Sequence, residues 1–150
     1  MPSYGATGQE NTVTTGLTTA LALTRGASKR IKVHEFNLSA GGTPADNVVR
    51  CVIMRHTAAP TLTALTPEPL DLADGAAVTT AGENASAEGT VTAGSEMFDQ
   101  SFNQRAAYRW TAANDDDRLV VPNTAASGLS FRVSSPAYTG AFDYTGHFKE

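Results

Sequence analysis

The chain has 150 residues, a formal net charge of −4 and 41% apolar residues, which together favour a single acidic globular domain. The acidic balance argues against a general nucleic-acid binder, because such proteins carry a basic excess or a basic stripe. The one cysteine, Cys51, excludes an internal disulfide framework, and no apolar run is long enough to cross a membrane, so we expect neither a nucleic-acid nor a membrane partner.

Residues 1–27 are predicted to form an extended N-terminal arm. Their opening stretch, MPSYGATGQENTVTTG, is polar and contains several glycines, with few side chains to bury. Leucines alternate later in this segment, which favours a short edge strand over a helix, because the threonines weaken helix formation. No basic region followed by an apolar one marks a signal peptide. Residues 28–150 are then expected to form one β-sandwich domain.

Strand signals strengthen from Lys29 onward. In KRIKVHEFNLS the apolar alternation passes through Ile31 and Val33 and then shifts phase to Phe36 and Leu38. A phase shift inside one strand predicts a β-bulge. The following stretch VVRCVIMR is apolar on both faces, which indicates a central strand that is covered on both sides.

Residues 57–96 have the least regular pattern in the chain. They contain several prolines and few large side chains, so we predict a long excursion with one or two short strands. A loop of this length in a compact domain is normally functional or contacts a partner.

Alternation returns in the last third of the sequence. The stretch LVVP indicates a short strand that ends at Pro122, and AASGLSFRVSS places Phe131 and Val133 on one face. In AFDYTGHFKE the alternation begins at Phe142. We predict that Phe131, Val133 and Phe142 are core residues. Several short strands separated by turn signals indicate an all-β protein with a jelly-roll-like β-sandwich.

The stretch NQRAAYRWTA combines two arginines, a tyrosine and the only tryptophan. In an extended chain, Tyr108 and Trp110 point to one face, and Arg105 and Arg109 point to the other. Binding of single-stranded nucleic acid would require exposed rings for base stacking. Large aromatic side chains are scarce here, so we interpret Tyr108 and Trp110 as core residues. Arg105 and Arg109 are expected to bind carboxylates on a partner surface.

The residues that could bind a metal ion do not occur at the spacing of a known metal-binding motif. The run NDDDR lacks the spaced carboxylates and glycine of a calcium loop and is interpreted as a solvated hairpin tip. His34, His56 and His147 are not spaced as ligands relative to one another or to a carboxylate. Cys51 lies in an apolar strand and is interpreted as a buried, inert thiol. No metal site is predicted.

Motifs of catalysis and cofactor binding are also missing from the sequence. No serine lies in a G-x-S-x-G turn, and GATG and AGGT lack the lysine of a phosphate-binding loop. Glu68 and Asp71 form a carboxylate pair, but in a proline-rich stretch and not on a rigid strand. We therefore expect no enzymatic activity, no catalytic residues and no cofactor.

Several motifs in the second half of the chain occur in an order that resembles a known family. They are TPEPLDLADGAAV, NQRAAYRW, LVVPNTAASGLSFRV and SPAYTGAFDYTGHFKE. In this order they are similar to small proteins that are encoded beside the major capsid protein of tailed bacteriophages and are described as head decoration or cement proteins. The resemblance covers residues 61–150 and, more weakly, the stretch KRIKVHEF.

The resemblance implies a jelly-roll or related sandwich on the outer surface of the virion capsid, made in the host bacterial cytoplasm. It implies the major capsid protein as partner, a homo-oligomer such as a dimer or trimer, and a structural role in which bridged coat subunits stabilise the shell. With Tyr4 at its head, the N-terminal arm is then expected to contact neighbouring molecules.

Two other function classes compete with a decoration role. A carbohydrate- or host-surface-binding sandwich would use exposed aromatic rings, for which Tyr4, Tyr138 and Tyr144 are the spare residues. A metal-dependent enzyme on a jelly-roll scaffold would resemble the cupins, whose paired histidine clusters this sequence lacks. We expect the decoration role, with carbohydrate or host-surface binding as the alternative.

Overall fold

A computed structural model describes residues 1–26, 29–136, 138 and 140–150. The regular elements of these residues are all β-strands. In chain order the strands are β1 (Ser3–Glu10), β2 (Thr18–Thr24), β3 (Lys32–Ala40), β4 (Val48–Ala58), β5 (Thr61–Leu65), β6 (Glu68–Pro69), β7 (Thr80–Ala87), β8 (Thr90–Asn103), β9 (Tyr108–Thr111), β10 (Leu119–Val120), β11 (Gly128–Ser134) and β12 (Phe142–Lys149).

The strands form two antiparallel sheets of six strands each. In the first sheet the order is β10, β3, β12, β1 and β6, and β9 also pairs with β3. The second sheet has the order β5, β7, β2, β11, β4 and β8. The two sheets pack together, which confirms the predicted all-β class and β-sandwich, whereas the jelly-roll connectivity stays a prediction.

Alternating side chains from both sheets fill the core. Phe131 and Val133 of β11 and Phe142 of β12 are fully buried, which confirms the prediction for these three residues. The ring of Tyr144 lies 5.6 Å from that of Phe131, so the two sheets meet through their aromatic side chains.

The N-terminal segment is part of the sandwich. Strand β1 lies between β12 and β6, and β2 lies between β7 and β11. A Cβ atom on Gly8 would lie 2.8 Å from the carbonyl oxygen of Ala20, so the missing side chain lets β1 approach β2 closely. The prediction of an arm over residues 1–27 is therefore wrong for 3–10 and 18–24. The boundary predicted between residues 27 and 28 lies outside the described residues.

Two strand predictions are confirmed. The ladder between β3 and β12 shifts register where His147 pairs with Glu35 and Phe148 pairs with Val33, which leaves His34 as the extra residue of a bulge. Strand β4 lies between β11 and β8, and Cys51 within it is fully buried.

Residues 57–96 are more regular than predicted. They contain β5, β6, β7 and the first part of β8. Pro60 directly precedes β5, and Pro69 lies in the edge strand β6, positions where proline removes no central ladder hydrogen bond. The proline-rich composition therefore marks strand ends and sheet edges.

Candidate functional site

Tyr4 is a core residue. Its side chain is only 3% exposed, and its ring stacks on Phe148 with the centroids 5.6 Å apart. Its hydroxyl donates a hydrogen bond of 3.1 Å to the carbonyl oxygen of Gly75. The prediction that Tyr4 contacts a neighbouring molecule is wrong, because the ring is buried within its own sandwich.

Arg105 lies in a turn before β9, whereas Arg109 lies within β9. The backbone NH of Arg105 donates to Oδ1 of Asn103, so Arg105 precedes β9 and does not continue its alternation. Its Nε lies 3.5 Å from Oδ1 of Asp46, whereas Nη2 of Arg109 donates to Oε2 of Glu35 over 2.9 Å. The hydrogen bond from Arg109 lowers the pKa of Glu35 below its usual value. Both arginines thus have carboxylate partners within the chain, and their role toward another protein stays a prediction.

Tyr108 and Trp110 pack against the core but are only half-buried. The Trp110 ring stacks on the fully buried Phe36 with the centroids 5.3 Å apart and the planes 20° apart. Tyr108 stacks on Phe102 at 6.1 Å. The predicted packing of these two side chains against the core is confirmed. Their burial is partial because β9 has only four residues and pairs with β3 beside the short β10.

A histidine and a serine form a hydrogen-bonded pair inside the second sheet. Nδ1 of His56 lies 2.9 Å from the hydroxyl oxygen of Ser130, and Nε2 lies 3.2 Å from that of Thr24. A base beside a hydroxyl is the arrangement of nucleophilic catalysis. However, Ser130 is 1% exposed, and burial lowers the pKa of His56 to about 4, which leaves a weak base. The geometry supports a structural role for this pair.

The Cys51 thiol is equally enclosed. Burial raises its pKa to about 12, so the reactive thiolate is scarce at neutral pH. This agrees with the interpretation of Cys51 as a buried, inert thiol.

The other two histidines meet on the outer face of the first sheet. The rings of His34 and His147 stack with their centroids 6.3 Å apart, and Nδ1 of His147 lies 3.7 Å from Oε1 of Glu35. Sequence spacing did not predict this pair, because the bulge and the pairing of β3 with β12 create it. No group of three or more His, Cys, Asp or Glu side chains that could hold a metal ion occurs in the described part of the chain.

The NDDDR run is a solvent-exposed turn, as predicted, although it connects two strands that both pair with β3 and is not a hairpin tip. Oδ1 of Asn114 accepts hydrogen bonds from the backbone NH groups of Asp116 and Asp117, and Arg118 pairs with Asp115. These contacts are those of a local Asx turn.

An exposed apolar loop follows the edge strand β6. We call residues 70–78 the leucine loop, because Leu70 is 56% exposed and Leu72 is 96% exposed. The NH of Leu70 donates to the carbonyl oxygen of Ser3, and the hydroxyl of Tyr4 holds the middle of the loop. The Glu150 carboxylate accepts from the NH groups of Val78 and Thr79 at 2.7 and 2.8 Å. The loop is thus anchored at its beginning, middle and end.

A pocket of about 340 Å³ lies beside the C-terminal part of β4. Its wall is formed by residues of β4, β8 and the segment before β11, namely Arg55, His56, Thr57, Thr92, Ser95, Pro122, Thr124, Ala125 and Ser127. A side chain on Gly128 would overlap the imidazole of His56 and the carbonyl oxygen of Leu23, so glycine is needed where β11 passes His56. We call this cavity the Arg55 pocket.

The described residues contain no helix that is long and apolar enough to cross a membrane. No family model, curated protein or solved structure matches the chain.

Proposed function

We propose that the protein is a capsid decoration, or cement, protein of a tailed bacteriophage. It binds the outside of the mature head as a homo-oligomer and bridges major capsid protein subunits. The resemblance of residues 61–150 to this family supports the proposal. The net charge of −4 also suits an outer surface better than one that faces DNA.

The anchored leucine loop is the structural observation that carries the proposal. Two leucines on one short segment remain exposed although the sandwich has a large apolar core. An exposed apolar segment of this kind marks an interaction surface when it is held in place. Because hydrogen bonds to β1 and to Glu150 already order the loop, binding loses little further conformational entropy. We assign the leucine loop to the contact with the coat protein.

Stabilisation of the shell follows from binding alone. A ligand that prefers the assembled and expanded shell stabilises that state by mass action. Modest contacts repeated around the shell add up, and an oligomer gains further because its second contact is intramolecular. No catalytic step is required.

The test is co-sedimentation of the purified protein with expanded, undecorated heads of the phage that encodes it and with unexpanded heads. Saturable binding to expanded heads, at a fixed copy number per coat subunit, is the expected result. Leu72→Ser should weaken binding at least about tenfold, because burying a leucine contributes about 1.5–3 kcal/mol. Val48→Ser is the matched control, since Val48 is 49% exposed but lies in the second sheet.

Two results would contradict parts of the proposal. A wild-type protein that binds neither form of the head removes the decoration role. If the wild type binds heads well and Leu72→Ser binds them as strongly as Val48→Ser does, the coat contact lies elsewhere on the protein.

The geometry favours this proposal over carbohydrate or host-surface binding. Sugar platforms need exposed ring faces. Tyr4 and Tyr144 are buried, whereas Tyr108, Tyr138 and Trp110 are half-buried. A change in Trp110 fluorescence on addition of glycans would favour the alternative.

A further inference from the structure

Arg55 is a partly buried cation on the wall of the pocket. Five arginines of the described residues lie within 4.0 Å of a carboxylate oxygen, namely Arg50, Arg105, Arg109, Arg118 and Arg132. Arg55 is half-buried and, like Arg25, has no such partner among the described residues, but of these two only Arg55 contributes to the pocket wall. Its Nε and Nη2 atoms instead donate long hydrogen bonds of 3.3 and 3.2 Å to the carbonyl oxygen of Val120. A partly desolvated cation without a counter-charge favours binding of an anion from outside.

The surroundings of Arg55 are suited to an oxyanion. The pocket wall carries hydroxyl groups from serine and threonine, and no Asp or Glu contributes to it. The hydroxyl oxygen of Ser95 is buried and has no hydrogen-bond partner in the described residues. Buried polar groups normally have hydrogen-bond partners. Because Ser95 also contributes to the pocket wall, its unpaired hydroxyl can donate a hydrogen bond to a ligand there. A guanidinium group with a nearby hydroxyl donor recognises an oxyanion.

The charge of the wall selects the class of oxyanion. His56 adds no positive charge at neutral pH, because burial lowers its pKa to about 4. Arg55 is therefore the one cationic group of the wall, which balances a monoanion better than a dianion such as a phosphate monoester. Pro122 and Ala125 add apolar surface, and the volume of about 340 Å³ suits a small molecule or a single side chain.

We propose that the Arg55 pocket binds a carboxylate carried on a short aliphatic chain. The carboxylate belongs either to a free small acid or to a glutamate side chain of a protein partner. The second source rests on the proposed function, since the coat protein would then be that partner. Binding itself does not depend on the proposed function.

The first experiment follows backbone amide signals of the isolated protein by NMR during titration with butyrate. Butyramide, a neutral molecule of the same shape, is the ligand control. We expect saturable shifts at Arg55, Ser95 and Ser127 with butyrate alone. Arg55→Gln should weaken butyrate binding at least about tenfold, because a charge-assisted hydrogen bond is lost. Arg50→Gln is the matched control, because Arg50 pairs with Asp99 and does not contribute to the pocket wall.

Two outcomes overturn the proposal. In one, butyrate produces no saturable shift at the pocket. In the other, butyramide shifts the same signals as strongly, so that the carboxylate charge does not matter. If Arg55→Gln fails to fold, Arg55→Lys is measured in its place. Lysine keeps the positive charge, so this variant should retain measurable butyrate binding.

Co-sedimentation with heads then distinguishes the two sources of the carboxylate. If a coat glutamate enters the pocket, Arg55→Gln should weaken attachment and butyrate should compete with the heads. If attachment is unchanged while butyrate still binds the wild type, the ligand is a free acid. A wild type that binds butyrate but no heads contradicts the proposed function and leaves this inference intact.

Discussion

Tyr4 donates a hydrogen bond from its hydroxyl to the carbonyl oxygen of Gly75, which is 71 positions further along the chain. This contact joins strand β1 to the leucine loop. A residue that the sequence placed on an exposed arm thereby orders the segment we assign to the coat contact.

Tyr4→Phe should loosen the leucine loop while leaving the sandwich intact. Phenylalanine keeps the ring that stacks on Phe148 but removes the hydroxyl that binds Gly75. We expect a loss of about 1 kcal/mol in the free energy of unfolding. Hydrogen exchange at residues 72–76 should accelerate more than exchange in β12. Unchanged exchange in the loop would show that this hydrogen bond does not anchor it.

Trp110→Ala should destabilise the protein by about 2 kcal/mol in urea denaturation. Full burial of the side chain would predict about 3–5 kcal/mol, and half-burial reduces that value. The stacking contact with Phe36 accounts for part of the loss. Arg109→Ala, on the same strand, is the control and should cost no more than about 1 kcal/mol. A near-neutral Trp110→Ala would contradict the packing described for β9.

Gly128→Ala should destabilise the protein by about 1–3 kcal/mol or more. The added methyl group would overlap the carbonyl oxygen of Leu23 and the imidazole of His56, so a backbone or a buried ring must move. Gly75→Ala is the matched control, because a Cβ at Gly75 has no heavy atom within 4 Å. Thermal unfolding of the two variants makes the comparison, and equal melting temperatures would refute the close contact at Gly128.

Stability should fall as the pH drops from about 6.5 to about 4, and His56 should contribute to the fall. Its pKa in the folded protein is about 4, against an ordinary value of 6.5, so the unfolded chain takes up the proton first. The contribution of neutral His56 to stability is fully present above pH 6.5. It is lost as the pH falls through about 4, the pKa of His56 in the folded protein. A shift of this size corresponds to about 3 kcal/mol. Chemical denaturation across this range should give a shallower pH dependence for His56→Gln. Parallel profiles for the two proteins would argue that the imidazole is more accessible than described.

Local pattern was sufficient for much of the strand content. The phase shift between Val33 and Phe36 predicted the bulge, and the apolar faces of VVRCVIMR predicted a central strand. Alternation around Phe131 and Phe142 predicted their burial. These features depend on the period of two along a strand, which the sequence carries in itself.

The candidate sites were not predictable in the same way. The leucine loop lies within TPEPLDLADGAAV, but its anchoring by Tyr4 and Glu150 depends on residues more than 70 positions away. The Arg55 pocket combines residues from β4, β8 and the segment before β11. Single residues gave no signal for this pocket, because its wall forms only when these three parts of the chain lie side by side.

The sequence by itself determined the all-β class, the main apolar strands and the core positions of β11 and β12, because each follows from neighbours along the chain. Only the tertiary structure decided that the polar segment around Tyr4 is an internal strand. Glycine and alanine bury little surface alone, yet they let β1 approach β2 closely enough to complete the core. Which segments are exposed, and which charges remain unpaired, depends on contacts between residues far apart in the chain, and a local pattern does not contain those contacts.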